Sequence, residues 1–166
     1  MISRDLIGRI NAFKGMNDQR IDAVMACCSE MEFKLEERLF AEGDDATHLW
    51  FVVDGKIDLR FEMPARETSQ EHTVSSLTVD GSSSRAKAIG WSCFVAPYKM
   101  RLSAYCASPS CKVVRVTKDD LLNLFESDPQ MGYQFMSHMV MVVGHRFQSF
   151  QDYIATHIGH GIMHGW

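Results

Sequence analysis

Histidine is the residue type whose spacing in this chain most readily suggests chemistry. His138 and His145 are seven positions apart and share one stripe of a helix, an arrangement that can ligate a metal ion. The stripe falls on the face that we expect to be solvated, so we predict no metal site there. His157, His160 and His164 also have ligand-like spacing, but glycines stand among them and disfavour a helix. We expect a flexible tail over residues 158–166.

Cysteine is the second residue type that could do chemistry here. The cysteines are odd in number and lack C-x-x-C spacing, which predicts neither a disulfide framework nor a zinc cluster. The pattern favours small buried thiols in a reducing compartment. A redox role for the adjacent pair Cys27-Cys28 is the alternative. The full set is Cys27, Cys28, Cys93, Cys106 and Cys111.

The composition is that of a compact globular domain. With 46% hydrophobic and 23% charged residues among 166, the chain can bury a sizeable core. A net charge of −4 provides no general attraction for a nucleic-acid backbone. Met1–Ile10 has no secretion leader, and the longest uncharged apolar stretch, around Met131–Gly144, is too short to span a bilayer. We expect a cytoplasmic protein with no membrane partner.

The predicted secondary structure of the segments that position these residues changes twice along the chain, from helices to strands and back to helices. Residues 1–30 predict two helices, because apolar residues recur at helical spacing and Asn17 can cap the second helix. Residues 31–117 predict a series of short strands between turns, which is the pattern of a sandwich or barrel. Residues 118–157 predict further helices, and all of these segments belong to one domain.

Turn signals divide the strand-rich part. Glu42–Asp45 is a cluster of turn-forming residues that precedes the β-prone run Leu49–Val53. Asp54-Gly55 separates this run from Ile57–Phe61, which predicts a hairpin. Further along the chain, Arg101–Ala107 predicts another short strand.

The helices that follow the strands have recognisable start signals. Thr117 followed by Asp120 is similar to a capping box, with Asp in place of Glu. Asp128 followed by Pro129 starts a second helix, which can run to about His157 without an interior proline. The sequence therefore predicts a short helix followed by a long one.

The long helix carries an apolar seam spaced alternately by three and four residues. This repeat predicts a homodimer held by the helix, with Val143, Phe147 and Phe150 near its centre. A second apolar row begins at Phe135 and stops at Arg146, so we expect the first half of the helix to pack on its own β-roll while the seam meets a partner. The alternative is that the whole helix folds against its own domain. The seam consists of Tyr133, Met136, Val140, Val143, Phe147, Phe150 and Ile154.

This order of helices, short strands, a short helix and a long helix resembles the cyclic nucleotide-binding domain family over nearly the whole chain. Glu42–Ala46 and Leu49–Ile57 are similar to a turn and hairpin of that family, with glycines in place at Gly43 and Gly55. The resemblance implies a mainly β domain with flanking helices. Its fold would be a double-stranded β-helix, or jelly roll, with N-terminal helices and a long C-terminal helix.

The resemblance places the family's phosphate-binding cassette at Ile89–Val95, a glycine-containing turn that leads into a short helix. In nucleotide-binding members, an acidic residue after the glycine binds the ribose and a later arginine binds the cyclic phosphate. Here Trp91 stands at the acidic position. Aligning Ser103-Ala104 with the small pair that follows the arginine puts Leu102 at the arginine position. Arg101 is one residue out of register, which on a strand turns it to the opposite face.

Losing two charged hydrogen bonds weakens binding by about 3–6 kcal/mol, or on the order of 10²–10⁴-fold. We therefore predict that cyclic AMP and cyclic GMP bind weakly or not at all. Three alternatives stay open: Trp91 fills the pocket; another small ligand stacks on Trp91 in a cavity that Ser92 and Ser103 share; or a cyclic nucleotide binds through Arg101. The ligand-site residues that the resemblance implies are Gly90, Trp91, Ser92, Cys93, Arg101, Leu102, Ser103 and Ala104.

Together these features predict a regulatory, ligand-sensing module and not an enzyme. DNA-binding relatives carry a helix-turn-helix after the long helix, whereas few residues follow it here, so we expect no DNA-binding domain. The module would signal through a dimer to an unidentified protein partner, with no cofactor unless a cyclic nucleotide or other small ligand binds. A ligand-free scaffold is one alternative. A cupin-like metal-dependent enzyme is another, but His48 and His72 are isolated from each other and from an HxH pair.

Overall fold

The computed structural model of this protein describes residues 2–62, 67, 69–79 and 87–157, except the side chains of Tyr153 and His157. The predicted tail over residues 158–166 lies outside the described residues. The helices are α1 (Arg4–Gly8), α2 (Asp18–Cys27), α3 (Lys118–Ser127) and α4 (Pro129–His157), and 3₁₀ turns cover Asn11–Phe13, Gln70–His72 and Trp91–Phe94. The strands are β1 (Cys28–Lys34), β2 (Arg38–Phe40), β3 (His48–Arg60), β4 (Thr73–Val79), β5 (Lys87–Ile89), β6 (Ser103–Cys106) and β7 (Ser110–Thr117).

Local capping signals start the helices where the sequence predicted them. The Asn17 side chain accepts a hydrogen bond from the Arg20 amide at the start of α2, and Thr117 accepts one from the Asp120 amide at the start of α3. Asp128 accepts from the Met131 amide in the first turn of α4. These predictions are confirmed because each depends only on residues within one helical turn.

The sheet is built around β3. All strand pairings are antiparallel, and the order is β1-β7-β3-β6-β2, with β4 and β5 also paired to β3. The first part of β3 pairs with β5 and β7, and the second part pairs with β4 and β6. One strand therefore belongs to both halves of a curled sheet, and the predicted mainly β roll with flanking helices is confirmed.

The predicted hairpin at Asp54-Gly55 is wrong, because β3 continues through these residues as one strand. Gly55 has a φ of +86°, and the register of β3 against β7 shifts between Val52 and Asp54. A Cβ atom on Gly55 would lie 2.5 Å from the carbonyl oxygen of Ser110. The glycine thus forms a bulge, which bends the strand from one half of the roll into the other.

The first half of α4 packs against its own domain, mainly against the 3₁₀ turn Asn11–Phe13 and α3, whereas the prediction placed it on the β-roll. Phe135 is fully buried, and its ring centroid lies 5.4 Å from that of Phe13 and 5.0 Å from that of Phe125. Met131 and Met139 on the same side are also buried. These contacts fix the direction of α4 and so determine where its second half lies. In the described part of the chain, neither α4 nor another helix is long and apolar enough to cross a bilayer.

A buried arginine that no sequence pattern indicated lies at the end of β3. Arg60 is fully buried and forms a two-pronged ion pair with Glu36, at N···O distances of 2.7 and 2.9 Å. Asp58 lies 3.7 Å from the same guanidinium, which stacks on the Tyr105 ring at 4.6 Å. The hydrogen bonds from Arg60 lower the pKa of Glu36 to about 2. The ion pair ties the loop between β1 and β2 to the centre of the roll.

Candidate ligand-binding site

A cavity of about 930 Å³ lies between the β-roll and the second half of α4. Its volume is in the range that small-molecule sites occupy. The walls come from β2, β3, the 3₁₀ turn Gln70–His72, β4, the turn after β5, the segment before β6, and α4. The lining residues are Phe40, Leu59, Phe61, Glu71, His72, Thr73, Val74, Ser75, Gly90, Trp91, Ser92, Met100, Arg101, Leu102, Val143, Arg146, Phe147, Ser149 and Phe150.

Gly90 sets the position of the first wall. Its φ is +76°, and a Cβ atom there would lie 2.9 Å from Cδ1 of Trp50. The left-handed residue turns the chain out of β5 and directly into the 3₁₀ turn Trp91–Phe94. Trp91, which is half-buried, and Ser92, which is buried, then both line the cavity. Cys93 is fully buried, and burial raises its thiol pKa to about 12.

The segment before β6 brings Arg101 and Leu102 to the same cavity. The expectation that Arg101 turns to the opposite face is wrong, because β6 begins only at Ser103 and the alternation of a strand does not apply before it. Arg101 is exposed, whereas Leu102 is half-buried. An apolar side chain therefore stands where the resemblance expects the phosphate-binding arginine.

Ser103 and Ala104 do not line the cavity. The Ser103 hydroxyl accepts a hydrogen bond of 2.8 Å from the Glu42 amide and donates one to the Glu62 carboxylate. Ala104 is fully buried and pairs with Leu59 in the sheet. The structure thus does not bring the Ser103 hydroxyl to the cavity that Ser92 lines, and the predicted sharing is wrong.

The α4 side of the cavity was not anticipated from the sequence. Val143, Phe147 and Phe150, which were predicted only as the centre of a dimer seam, line the cavity together with Arg146 and Ser149. A heptad repeat marks one face of a helix but does not reveal whether a second molecule or the helix's own domain lies against it. The signal that could have been used is the charge of Arg146, which ends the second apolar row.

Arg146 is the charged group that α4 places at the cavity. It is half-buried, and its guanidinium donates a hydrogen bond to the carbonyl oxygen of Ala88 in β5. Among the described residues, no carboxylate forms an ion pair with it. Burial lowers the pKa of Arg146 to about 10. The cavity wall therefore holds a cation for which the described part of the chain provides no counter-charge.

Other polar groups lie on the β4 side. The Thr73 hydroxyl oxygen is buried and has no hydrogen-bond partner among the described residues. Nδ1 of His72 accepts a hydrogen bond of 3.3 Å from the Ser69 amide, which orients the ring at the cavity. His48, at the start of β3, is not among the lining residues and bonds through Nδ1 to the Thr47 hydroxyl at 2.8 Å. Nowhere in the described ranges do three or more His, Cys, Asp or Glu residues cluster as metal ligands.

The outer face of α4 leaves most of the apolar seam exposed. Tyr133 is 77% exposed and Val140 is 69% exposed. Phe147 and Phe150 border the cavity and are still more than half exposed, Met136 and Ile154 are exposed too, and Val143 is half-buried. The second half of the helix therefore presents one edge to the cavity and one to its surroundings.

The opposite face of α4 is less solvated than predicted. His138 is half-buried beside the N-terminal segment, and burial lowers its pKa, whereas His145 is exposed. The first half of α4 packs against Asn11–Phe13. His138 lies beside this segment, which explains why it is less exposed than His145.

Comparison with known proteins gives a likeness of structure only. No protein-family model and no curated protein sequence matches the chain. A cyclic nucleotide-binding domain from Methylobacillus flagellatus KT is 16% identical with a TM-score of 0.72, over 92% of this chain and 80% of that one. The Thermus thermophilus catabolite activator protein is 14% identical with a TM-score of 0.64, over 85% and 62%. The regulatory domain of Toxoplasma gondii PKA, solved with cAMP, is 16% identical with a TM-score of 0.57, over 73% and 42%.

These three matches cover between 73% and 92% of this chain. At such low identity they identify the architecture and leave the ligand open. The predicted resemblance is confirmed at this level: the chain has the fold of cyclic nucleotide-binding domains.

Proposed function

We propose that this chain is a regulatory, ligand-sensing domain, not an enzyme, and that its ligand binds in the cavity between the roll and α4. The observation that carries the proposal is the composition of the walls. Trp91 and Ser92 come from the glycine turn, and Val143 and Phe147 come from the C-terminal helix. A ligand in contact with both would favour one position of the helix over others, which is how binding shifts a conformational equilibrium.

Native mass spectrometry of the freshly purified protein tests this proposal. We expect a bound small molecule that dissociates when the protein unfolds. Val143→Trp, which enlarges a side chain on the cavity wall, should lose it. Exposed Met141→Trp, which lies outside this cavity, is the matched control and should keep it. A wild type that carries no ligand, and binds none from a panel of metabolites, would support the ligand-free scaffold.

We propose that cyclic AMP and cyclic GMP are not the ligands of this cavity, because other residues stand at the positions where the resemblance implies the acidic residue and the arginine. Trp91 lines the wall in place of an acidic residue, and Leu102 in place of an arginine. Arg101 does reach the lining but is exposed. Calorimetry should detect no binding at micromolar concentration, and micromolar or tighter binding would transfer the phosphate-binding role to Arg101.

We also propose that the protein is a homodimer held by the exposed seam of α4, and that it signals to a protein partner in the cytoplasm. Val140 is 69% exposed on a helix whose other side is buried, and such an apolar face is typical of an interface. Val143 is common to the cavity and to the seam, so a ligand that moves it would alter the dimer contact.

The five cysteines are free, which fits a reducing compartment such as the proposed cytoplasm.

Val140→Glu tests the dimer without touching the cavity. A symmetric contact would place two glutamates together in an apolar environment, and the dimer should dissociate. Met141→Glu is the matched control, because Met141 is 59% exposed and lies beside the seam. Light scattering should report a dimer for wild type and Met141→Glu and a monomer for Val140→Glu. A monomeric wild type would contradict the proposal.

A further inference from the structure

We propose that Arg146 is the anion-binding group of this cavity and that the ligand is an apolar organic anion, with a carboxylate or phosphate at one end. This inference rests on the proposed ligand-sensing function. It assigns the recognition of charge to Arg146 on α4, because Leu102 stands where the resemblance implies the phosphate-binding arginine of the roll.

The guanidinium of Arg146 has more N–H donors than its hydrogen bond to Ala88 uses. An arginine has several N–H donors in a rigid fork that matches carboxylate and phosphate oxygens. The structure uses a donor of Arg146 on the Ala88 carbonyl oxygen. That bond holds the guanidinium at the junction of α4 and β5, next to the Gly90 turn. Because the carbonyl is uncharged, the cation there is left without a counter-charge among the described residues.

The remaining charged side chains of the lining do not neutralise Arg146. Glu71 and Arg101 are both exposed, and His72 is half-buried. No described carboxylate, Glu71 included, forms an ion pair with Arg146. A cation taken from water without a partner is unfavourable, and an anionic ligand would restore the missing partner.

The rest of the lining determines what the anion must be attached to. Leu59, Trp91, Val143, Phe147 and Phe150 give the cavity mainly apolar and aromatic walls. Such walls favour a flat or branched hydrocarbon body over a sugar. The Thr73 hydroxyl, which has no hydrogen-bond partner in the described ranges, adds one polar contact on the β4 side. The lining is therefore suited to an amphiphilic ligand with a single charged end.

A matched series of probes separates the charge from the apolar body. We would measure the binding of 1-naphthyl phosphate, 1-naphthoate and neutral 1-naphthol to the full chain by calorimetry. Both anions, or the one whose headgroup matches the natural ligand, should bind wild type about 10- to 100-fold more tightly than 1-naphthol. Arg146→Met should remove this preference, so that the two anions bind no more tightly than 1-naphthol. Arg146→Lys should retain part of it.

Two controls keep the result specific. Lys112→Met removes a positive charge from an exposed position on β7 outside the cavity, and it should preserve the preference for anions. Circular dichroism of each variant checks that the fold is intact, and Arg146→Lys serves if Arg146→Met does not fold.

Several outcomes would overturn the assignment. Equal binding of all three probes to wild type would refute the anion site while leaving the ligand cavity in place. An anion preference that survives in Arg146→Met, or that is lost in Arg101→Met instead, would also refute it. Failure of all three probes to bind would count against both the anion site and the proposed ligand-sensing function.

Discussion

Replacing Gly90 with alanine should destabilise the fold and displace Trp91 from the cavity wall. Gly90 has a φ of +76°, and an added Cβ would lie 2.9 Å from Cδ1 of Trp50 and 3.1 Å from the His48 carbonyl oxygen. The left-handed backbone costs an alanine about 1–2 kcal/mol. Relieving the contact with a buried ring and a backbone atom costs about 1–2 kcal/mol more. We expect Gly90→Ala to lower the free energy of unfolding by about 2–4 kcal/mol.

Gly43→Ala isolates the backbone part of this cost. Gly43 has a φ of +86°, but nothing lies within 4 Å of its added Cβ. This variant should lose only about 1–2 kcal/mol. Urea unfolding followed by circular dichroism measures both, and calorimetry with 1-naphthyl phosphate should show weaker binding only for Gly90→Ala. If Gly90→Ala lost no more stability than Gly43→Ala, the close approach of the glycine turn to Trp50 would be refuted.

Two further predictions concern titratable groups. The pKa of Glu36 is lowered from 4.5 to about 2, so its ion pair contributes stability that is complete above pH 4.5 and is lost as the pH falls toward 2. Glu36→Gln should therefore show a smaller fall in melting temperature over this range than wild type, and equal falls would contradict the ion pair with Arg60. Burial raises the pKa of Cys93 to about 12, so a thiol reagent at neutral pH should label Cys93 only in unfolded protein. Rapid labelling of Cys93 in the native state, read by mass spectrometry of peptides, would show that the turn opens.

Local signals in the sequence were sufficient for the helix starts and for the side of α4 that packs inward. Asn17, Thr117 and Asp128 each act on an amide within the next turn, so their neighbours in sequence are their neighbours in space. The same reasoning failed at Gly55. A glycine with positive φ serves a hairpin turn and a bulge equally well, and only the pairing with β7 decides between them.

Of the candidate site, the sequence predicted the residues on the β-roll but not those on α4. The glycine turn and the segment Arg101–Leu102 were found because the resemblance points to them. Arg146 was missed as a site residue because its contact with Ala88 joins positions far apart in the chain. Arg60 in β3 was missed for the same reason, since its partner Glu36 lies in the loop between β1 and β2. A single sequence does not report which distant residues meet.

Hydrogen–deuterium exchange in the presence of saturating 1-naphthyl phosphate tests most directly whether a ligand in the cavity acts on the C-terminal helix. Val143, Arg146 and Phe147 line the cavity, so exchange should slow in the peptide that spans residues 143–150. It should also slow at the turn Trp91–Phe94 and stay unchanged in α2, which contributes no lining residue. Exchange that slows at the turn but not in residues 143–150, or that does not change at either place, would contradict a ligand held between the roll and α4.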